Sequence, residues 1–266
     1  LYNEIKRKQT EIPVYREERH QAIVTLLQSH GRVSVADLSD RFGVSEVTIR
    51  VDLQALVDQG LVVRTHGGAI LAGYGIQELS LLRRRQRQVA EKARIAAAAG
   101  ELVGDGEAIF LDSSSTTLAI LTHIRQRYDL TVVTNSLVVA QELLAFPKIT
   151  VVMPGGTLYH DTVSLIDAGG LKIVERYNIS KGFFGAHGLT LEDGFTDVSE
   201  AEARLKRSIV GMCRQVIILL DATKWGRAGV ASFAEAKDAD VLIADAPPEE
   251  MVSQMRALGV EVNCIG

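Results

Sequence analysis

The chain has 266 residues, room for one large domain or two ordinary ones with a substantial core. It is 47% hydrophobic yet holds no unbroken apolar run near 18 residues, which excludes a spanning helix and points to a soluble protein without a membrane partner. Charge is unevenly spread: residues 1–87 carry 13 Lys and Arg against 10 Asp and Glu, and the remainder 16 against 23, so a front part of about +3 precedes a body of about −7.

That asymmetry suits a nucleic-acid-facing front on an acidic body. The opening "LYNEIKRKQTEIPVYREERHQ" lacks the apolar centre of a secretory signal, so a cytoplasmic location is expected. Cys213 and Cys264 lie far apart and form no CxxC pair; no metal site or cofactor is expected, and both read as small buried hydrophobes.

After a polar extension over 1–15, a helix begins near Glu17, with Ile23, Leu26 and Leu27 on one side and Gly31 placed to stop it. "SVADLSDRFGV" opens on Ser34 as N-cap, buries Val35, Leu38 and Phe42, and stops at Gly43. Ser45 caps the next helix, which runs to Gly60 with Ile49, Leu53 and Leu56 on its core side. Val47 and Val51 then point the opposite way, beside Thr48, Arg50 and Gln54. "LVVRTHGGAIL" reads as a two-stranded hairpin, so residues 16–71 have the layout of a winged helix-turn-helix with a basic wing at Arg64 and His66.

Residues 72–88 read as an exposed linker. Its arginines Arg83, Arg84, Arg85 and Arg87 form by default a solvated helix face, with phosphate contact as the other reading. From Val89 to the end, helices alternate with short Val, Ile and Leu runs: "AIFL", "LTVVT", "ITVVM", "GFFGA", "VIILL", "VLIA" and "VEVNCI". Such strands are buried on both faces, which predicts an open, doubly wound parallel α/β domain.

Ligands of such sheets bind beyond the carboxyl ends of the strands. There the sequence places Asp112, Ser113, Ser114, Ser115, Thr116 and Thr117; Thr134, Asn135 and Ser136; Pro154, Gly155 and Gly156; His187 and Gly188; and Asp221 and Lys224. Each group has an ordinary structural reading as a cap, a turn or a satisfied histidine. Together, hydroxyls at a helix start, a glycine pair, an Asn and a Lys suit a phosphorylated, hydroxyl-bearing small molecule.

"VSVADLSDRFGVSEVTIRVDLQALVDQGLVVRTHGGAI" resembles the winged-helix head of the DeoR family of bacterial transcriptional regulators, and the likeness continues through "DSSSTT", "VVTNS", "MPGGTL" and "LLDATKWG". The resemblance implies a carbohydrate-operon regulator whose C-terminal domain has a ribose-5-phosphate-isomerase-like fold and senses a phosphorylated sugar. Carried over by position, Ser113 to Thr117 hold the phosphate, and Asn135, Gly155 and Gly156 line the pocket. Glu200, Lys206, Asp221 and Lys224 match other marked positions. Val51 stands where the family pattern has arginine, and Ser114 where it has glycine.

The expected function is therefore sequence-specific repression. Arg32, Ser34, Ser45, Arg64 and His66 are expected to contact phosphates of double-stranded operator DNA. Glu46, Thr48, Arg50 and Gln54 are expected to read base edges, with a Val51 methyl against a thymine methyl. A homodimer or homotetramer is expected, because paired half-sites multiply the specificity of one short helix. The alternative is a sugar-phosphate isomerase-like enzyme with a DNA-binding head, drawing on Asp112, Asp197, Glu200 and His187; no paired-carboxylate signature calls for it.

Overall fold

The computed structural model describes residues 16–30, 32–59, 61–65, 67–71, 81–166 and 169–265. The 1–15 extension, Gly31, Gly60, His66 and the 72–80 part of the linker lie outside the described residues, as does the side chain of Arg32. The chain divides into two compact units between residues 78 and 79.

In the first unit, helices α1 (Arg16–His30), α2 (Val35–Phe42) and α3 (Glu46–Asp58) pack around Ile23, Leu27, Val35, Leu38, Ile49, Leu53 and Leu56. Ser34 and Ser45 cap α2 and α3, accepting from the backbone N–H groups of Asp37 (3.0 Å) and Thr48 (3.1 Å). Gly43 ends α2 at φ +62°, a left-handed turn that glycine adopts without strain. The wing is a three-stranded antiparallel sheet and not a simple hairpin: β1 (Arg32–Ser34) joins β2 (Val62–Thr65) and β3 (Gly68–Leu71) in the order β1-β3-β2. Gly68 makes this possible, because a Cβ there would sit 2.0 Å from the Val33 carbonyl oxygen. A three-residue strand whose partner lies far along the chain leaves no periodic trace in sequence.

The second unit is an open, doubly wound α/β domain. Seven parallel strands, β4 (Ala108–Leu111), β5 (Leu130–Thr134), β6 (Ile149–Val152), β9 (Lys181–Gly185), β12 (Gln215–Leu220), β14 (Val241–Asp245) and β15 (Glu261–Ile265), lie in the order β15-β14-β12-β9-β4-β5-β6. Alternate residues feed two separate cores: Phe110, Phe184, Ile218 and Leu242 on one face, Ile109, Phe183, Ile217 and Ile243 on the other. This is the physical meaning of the unalternating apolar runs. Two small antiparallel sheets complete the unit: β7 (Thr157–Tyr159) with β8 (Ser164–Ile166), and β10 (Gly188–Thr190), β11 (Gly194–Asp197) and β13 (Ala231–Ala234).

Around the main sheet lie α4 (Leu81–Arg85), α5 (Val89–Glu101), α6 (Ser115–Ala119), α7 (Leu121–Ile124), α8 (Leu137–Leu143), α9 (Leu171–Val174), α10 (Glu200–Val210) and α11 (Glu249–Ala257). "TTLAILTHIRQ" forms two short helices instead of one, because Ile120 and His123 donate to residues three positions back and tighten the chain there. Cys264 is exposed, contrary to the buried hydrophobe expected: β15 is an edge strand and shows part of its side chains to solvent. Cys213 is half-buried, and burial pushes its thiol pKa up to about 12, far from the reactive thiolate range. Among the described residues no helix is long and apolar enough to cross a membrane.

Candidate functional site

On α3 the two faces separate by chemistry. Ile49, Asp52, Leu53 and Leu56 are buried, whereas Val47 and Val51 are 67% and 54% exposed, on the same outward side as Glu46, Arg50 and Gln54. Arg50 donates to Glu46 at 2.6 Å, an exposed i, i+4 pair, and Gln54 donates to Asp58 at 2.9 Å. Thr48 shares its hydroxyl with the cap Ser45 at 2.9 Å. The hydroxyls of Ser34 and Ser45 are therefore committed to holding helix starts, and Arg64 stands exposed on β2 of the wing.

Sequence reading missed Asp52. Its carboxylate is 1% exposed and ties α3 to α1, accepting from Arg19 Nε at 2.6 Å and lying 3.0 Å from His20 Nε2. Burial raises its pKa, but the hydrogen bonds and charges of Arg19 and His20 outweigh that and hold it below the usual value of 3.8. The signal was available: position 52 shares a helical face with Ile49 and Leu56, and a carboxylate there demands a buried partner.

In the second unit the strand order reverses between β4 and β9, the switch point of a doubly wound sheet. Asp112, directly after β4, bridges it. One carboxylate oxygen accepts from Ser114 N (2.9 Å) and Thr117 Oγ1 (2.7 Å), the other from Gly185 N (2.9 Å) and Lys206 Nζ (2.8 Å). Lys206 comes from α10 and is 4% exposed. It donates to Asp112, to Asp197 at 2.7 Å and to the Gly185 carbonyl at 2.8 Å, and so uses all three of its protons. Burial lowers the pKa of Lys206, yet the carboxylates of Asp112, Asp197 and Glu202 raise it well above normal; Asp197 is correspondingly held low against its own burial, chiefly by Lys206.

Glu202, one turn earlier on α10 and 1% exposed, forms a second hub that sequence reading missed. It accepts from Ser113 (3.2 Å), from Ser164 of β8 (2.5 Å) and from Asn135 Nδ2 after β5 (3.3 Å). Glu200, expected at the site, faces solvent instead and pairs with Arg204 on the helix surface. Helical phase explains the exchange: residues 202, 205, 206 and 209 share the buried face, and 200, 204 and 207 the outer one.

Within "DSSSTT" the hydroxyls divide. Ser114 caps α6 through Thr117 N, Thr117 bonds back to Asp112, and Ser113 serves Glu202. Ser115 and Thr116, 7% and 6% exposed, have hydroxyls without a hydrogen bond among the described residues. Asn135 Oδ1 is likewise buried without a partner. Ser114 adopts φ −79°, an ordinary extended conformation, so serine fits the glycine position of the family pattern without backbone strain. Gly155 and Gly156, by contrast, have φ +78° and +117°, left-handed values that favour glycine after β6. His187 follows β9 and donates its backbone N–H to the Thr196 carbonyl. Lys224 lies half-buried in a short 3₁₀ turn after β12; burial lowers its pKa, opposed by Asp221. Among the described residues no cluster of three or more His, Cys, Asp or Glu could hold a metal ion.

A helix-turn-helix with a wing, ahead of a doubly wound unit with a polar centre at its switch point, defines a DNA-binding regulator with a sensor domain. Residues 19–73 match the family model of the DeoR-like helix-turn-helix domain, and residues 87–246 that of the DeoR C-terminal sensor domain. The chain is 36% identical over 228 residues to the HTH-type transcriptional regulator GolR of Listeria innocua, covering 86% of this chain and 90% of that one. It is 30% identical over 238 residues to the glycerol-3-phosphate regulon repressor of Escherichia coli, covering 90% and 94%. Ribose 5-phosphate isomerase A from Methanocaldococcus jannaschii overlays on 51% of this chain and 54% of its own, with a TM-score of 0.38 at 16% identity. The chain belongs to the DeoR family of transcriptional regulators.

Proposed function

We propose that this regulator represses a carbohydrate operon and is controlled by a phosphorylated sugar bound at the β4/β9 switch point. The observation that carries the sensor reading is the set of polar atoms left open there: the hydroxyls of Ser115 and Thr116 and the buried Oδ1 of Asn135, beside carboxylates and a lysine that are already satisfied. A buried acceptor without a donor costs about 1–3 kcal/mol, which a ligand hydroxyl recovers. Asp112 and Lys206 then act as the frame that fixes the loop, and Ser115, Thr116, Asn135, Gly155, Gly156 and Lys224 as the ligand-facing set. The name of the Escherichia coli relative, a glycerol-3-phosphate regulon repressor, supports an effector of this class.

On the DNA side, Glu46, Thr48, Arg50, Val51 and Gln54 read the major groove, and Arg32, Arg64, His66 and the two capped helix starts meet phosphates. Two or four copies supply paired half-sites. The test uses full-length protein and a DNA fragment selected from a random pool. Anisotropy titrations should show affinity falling steeply between roughly 50 and 200 mM salt. A panel of phosphorylated sugars and glycerol 3-phosphate should shift that affinity, and their unphosphorylated parents should not. Ser115→Ala with Thr116→Ala should remove the response; a response of normal size in that variant places the effector elsewhere.

A further inference from the structure

We propose that Arg84 is a ligand-binding residue of the sensor centre, its guanidinium taking an oxyanion of the bound molecule, the phosphoryl group of a sugar phosphate. The inference rests on the sugar-phosphate reading of the switch point and adds to it a contact made by the helix that follows the connector between the units.

The helix α4 is held firmly enough to aim a side chain. Leu81 is 1% exposed and its N–H donates to the Asp161 carbonyl at 3.0 Å. At the other end, Lys92 donates to the Arg84 and Arg87 carbonyls at 2.5 and 2.6 Å and closes the last turn. Arg85 points out and pairs with Glu142, whereas α4 packs on α6, the helix that the serine loop opens. Arg84 is half-buried, and its Nε and Nη2 are buried atoms without a hydrogen-bond partner among the described residues.

A guanidinium in that state needs an anion, and its planar fork fits phosphate oxygens. The carboxylate that feels its charge, Asp197, is already engaged by Lys206, and Asp221, which acts on Lys92 and Lys224, caps Thr223. Its other charged neighbours, Lys92 and Lys224, are cations whose pKa values are lowered first by burial and further by the charge of Arg84, against the pull of Asp221 on both. Trp225, next to Lys224 in sequence, also holds a buried indole N–H without a hydrogen-bond partner among the described residues. Crowded cations and open donors together call for an anion from outside the chain.

Trp225 is the single tryptophan, so its fluorescence reports binding in the intact protein. Full-length wild type, Arg84→Met and the neighbouring control Arg85→Met are titrated with inorganic phosphate, the phosphorylated sugar panel and the unphosphorylated parents, with calorimetry alongside. Arg84→Met should bind the phosphorylated probes about 10- to 100-fold more weakly, and Arg85→Met within about twofold of wild type. Affinity of Arg84→Met within about twofold of wild type overturns the proposal while leaving the sugar-phosphate reading intact. Failure of every phosphorylated probe on wild type overturns both. Should Arg84→Met fail to fold by circular dichroism, Arg84→Gln is titrated in its place, with the same loss of affinity expected and the same twofold limit overturning the proposal.

Discussion

Replacing Asp52 by alanine tests how the recognition helix is held. The carboxylate sits 1% exposed between α3 and α1, and its partner Arg19 has a side chain only 9% exposed. Deletion strands that guanidinium at a buried helix contact without its carboxylate, a loss of about 3–5 kcal/mol for a broken buried pair. The whole stability of a small domain is about 5–15 kcal/mol, so the first unit should lose a third or more of its margin. Unfolding of the full-length protein in urea should then split. Circular dichroism should show an early transition from the helical first unit, while Trp225, which lies in the second unit, keeps its midpoint. Asp52→Asn retains an acceptor and should fall between the two. The pH dependence has a fixed sign: because the folded pKa of Asp52 is depressed, its contribution is present above the ordinary value of 3.8 and is lost as pH falls through the lower folded value. A first transition within 0.5 kcal/mol of wild type, by roughly the scatter of neutral surface changes, refutes the structural role.

Val51→Arg adds one charge on the exposed side of α3, and the slope of log affinity against log salt should steepen by about 0.9 while preference at a thymine position weakens; an unchanged slope removes Val51 from the DNA face. Gly185→Ala puts a methyl 2.5 Å from Ser114 Oγ and should cost about 1–3 kcal/mol, relieved when Ser114→Gly is added; additivity of the two changes in a double-mutant cycle denies the contact. Lys92, lowered to about 8 by burial and by Lys224, Arg84 and Arg87 against the pull of Asp221, loses its charge as pH rises through 8. Affinity for phosphorylated ligands should therefore fall between pH 8 and 10, and calorimetry in buffers of different ionisation heat should detect proton uptake near pH 8. A flat affinity profile there separates Lys92 from the ligand.

How far the sequence disclosed these features depends on where the information lies. The five inner parallel strands β4, β5, β9, β12 and β14 are legible as apolar runs because each is buried over most of its length between two cores, whereas the edge strands β6 and β15 are buried only in part. Helices α2 and α3 are legible from Ser34, Gly43 and Ser45, which act on their own chain within three or four residues. Strands β1 and β13 are not, since Val33 is a strand only by virtue of Ala69, and Ala234 by virtue of Phe195. Pairings at that distance are set by tertiary contact and carry no local period.

The candidate site follows the same rule one level higher. Asp112 to Thr117 could be placed at a strand end, but the division of labour among them could not. Whether a hydroxyl caps a helix or faces a ligand depends on Gly185, Glu202 and Lys206, which reach the loop from other elements. The arginine run shows the limit most clearly. Four neighbouring arginines look alike on a chain, and a five-residue helix is too short to reveal its phase. Packing of α4 on α6 sends Arg85 to a surface carboxylate and leaves Arg84 with buried, open donors. The solvated-face reading thus describes Arg85, whereas Arg84, on the first described element after the wing, has its Nε and Nη2 buried without a hydrogen-bond partner among the described residues.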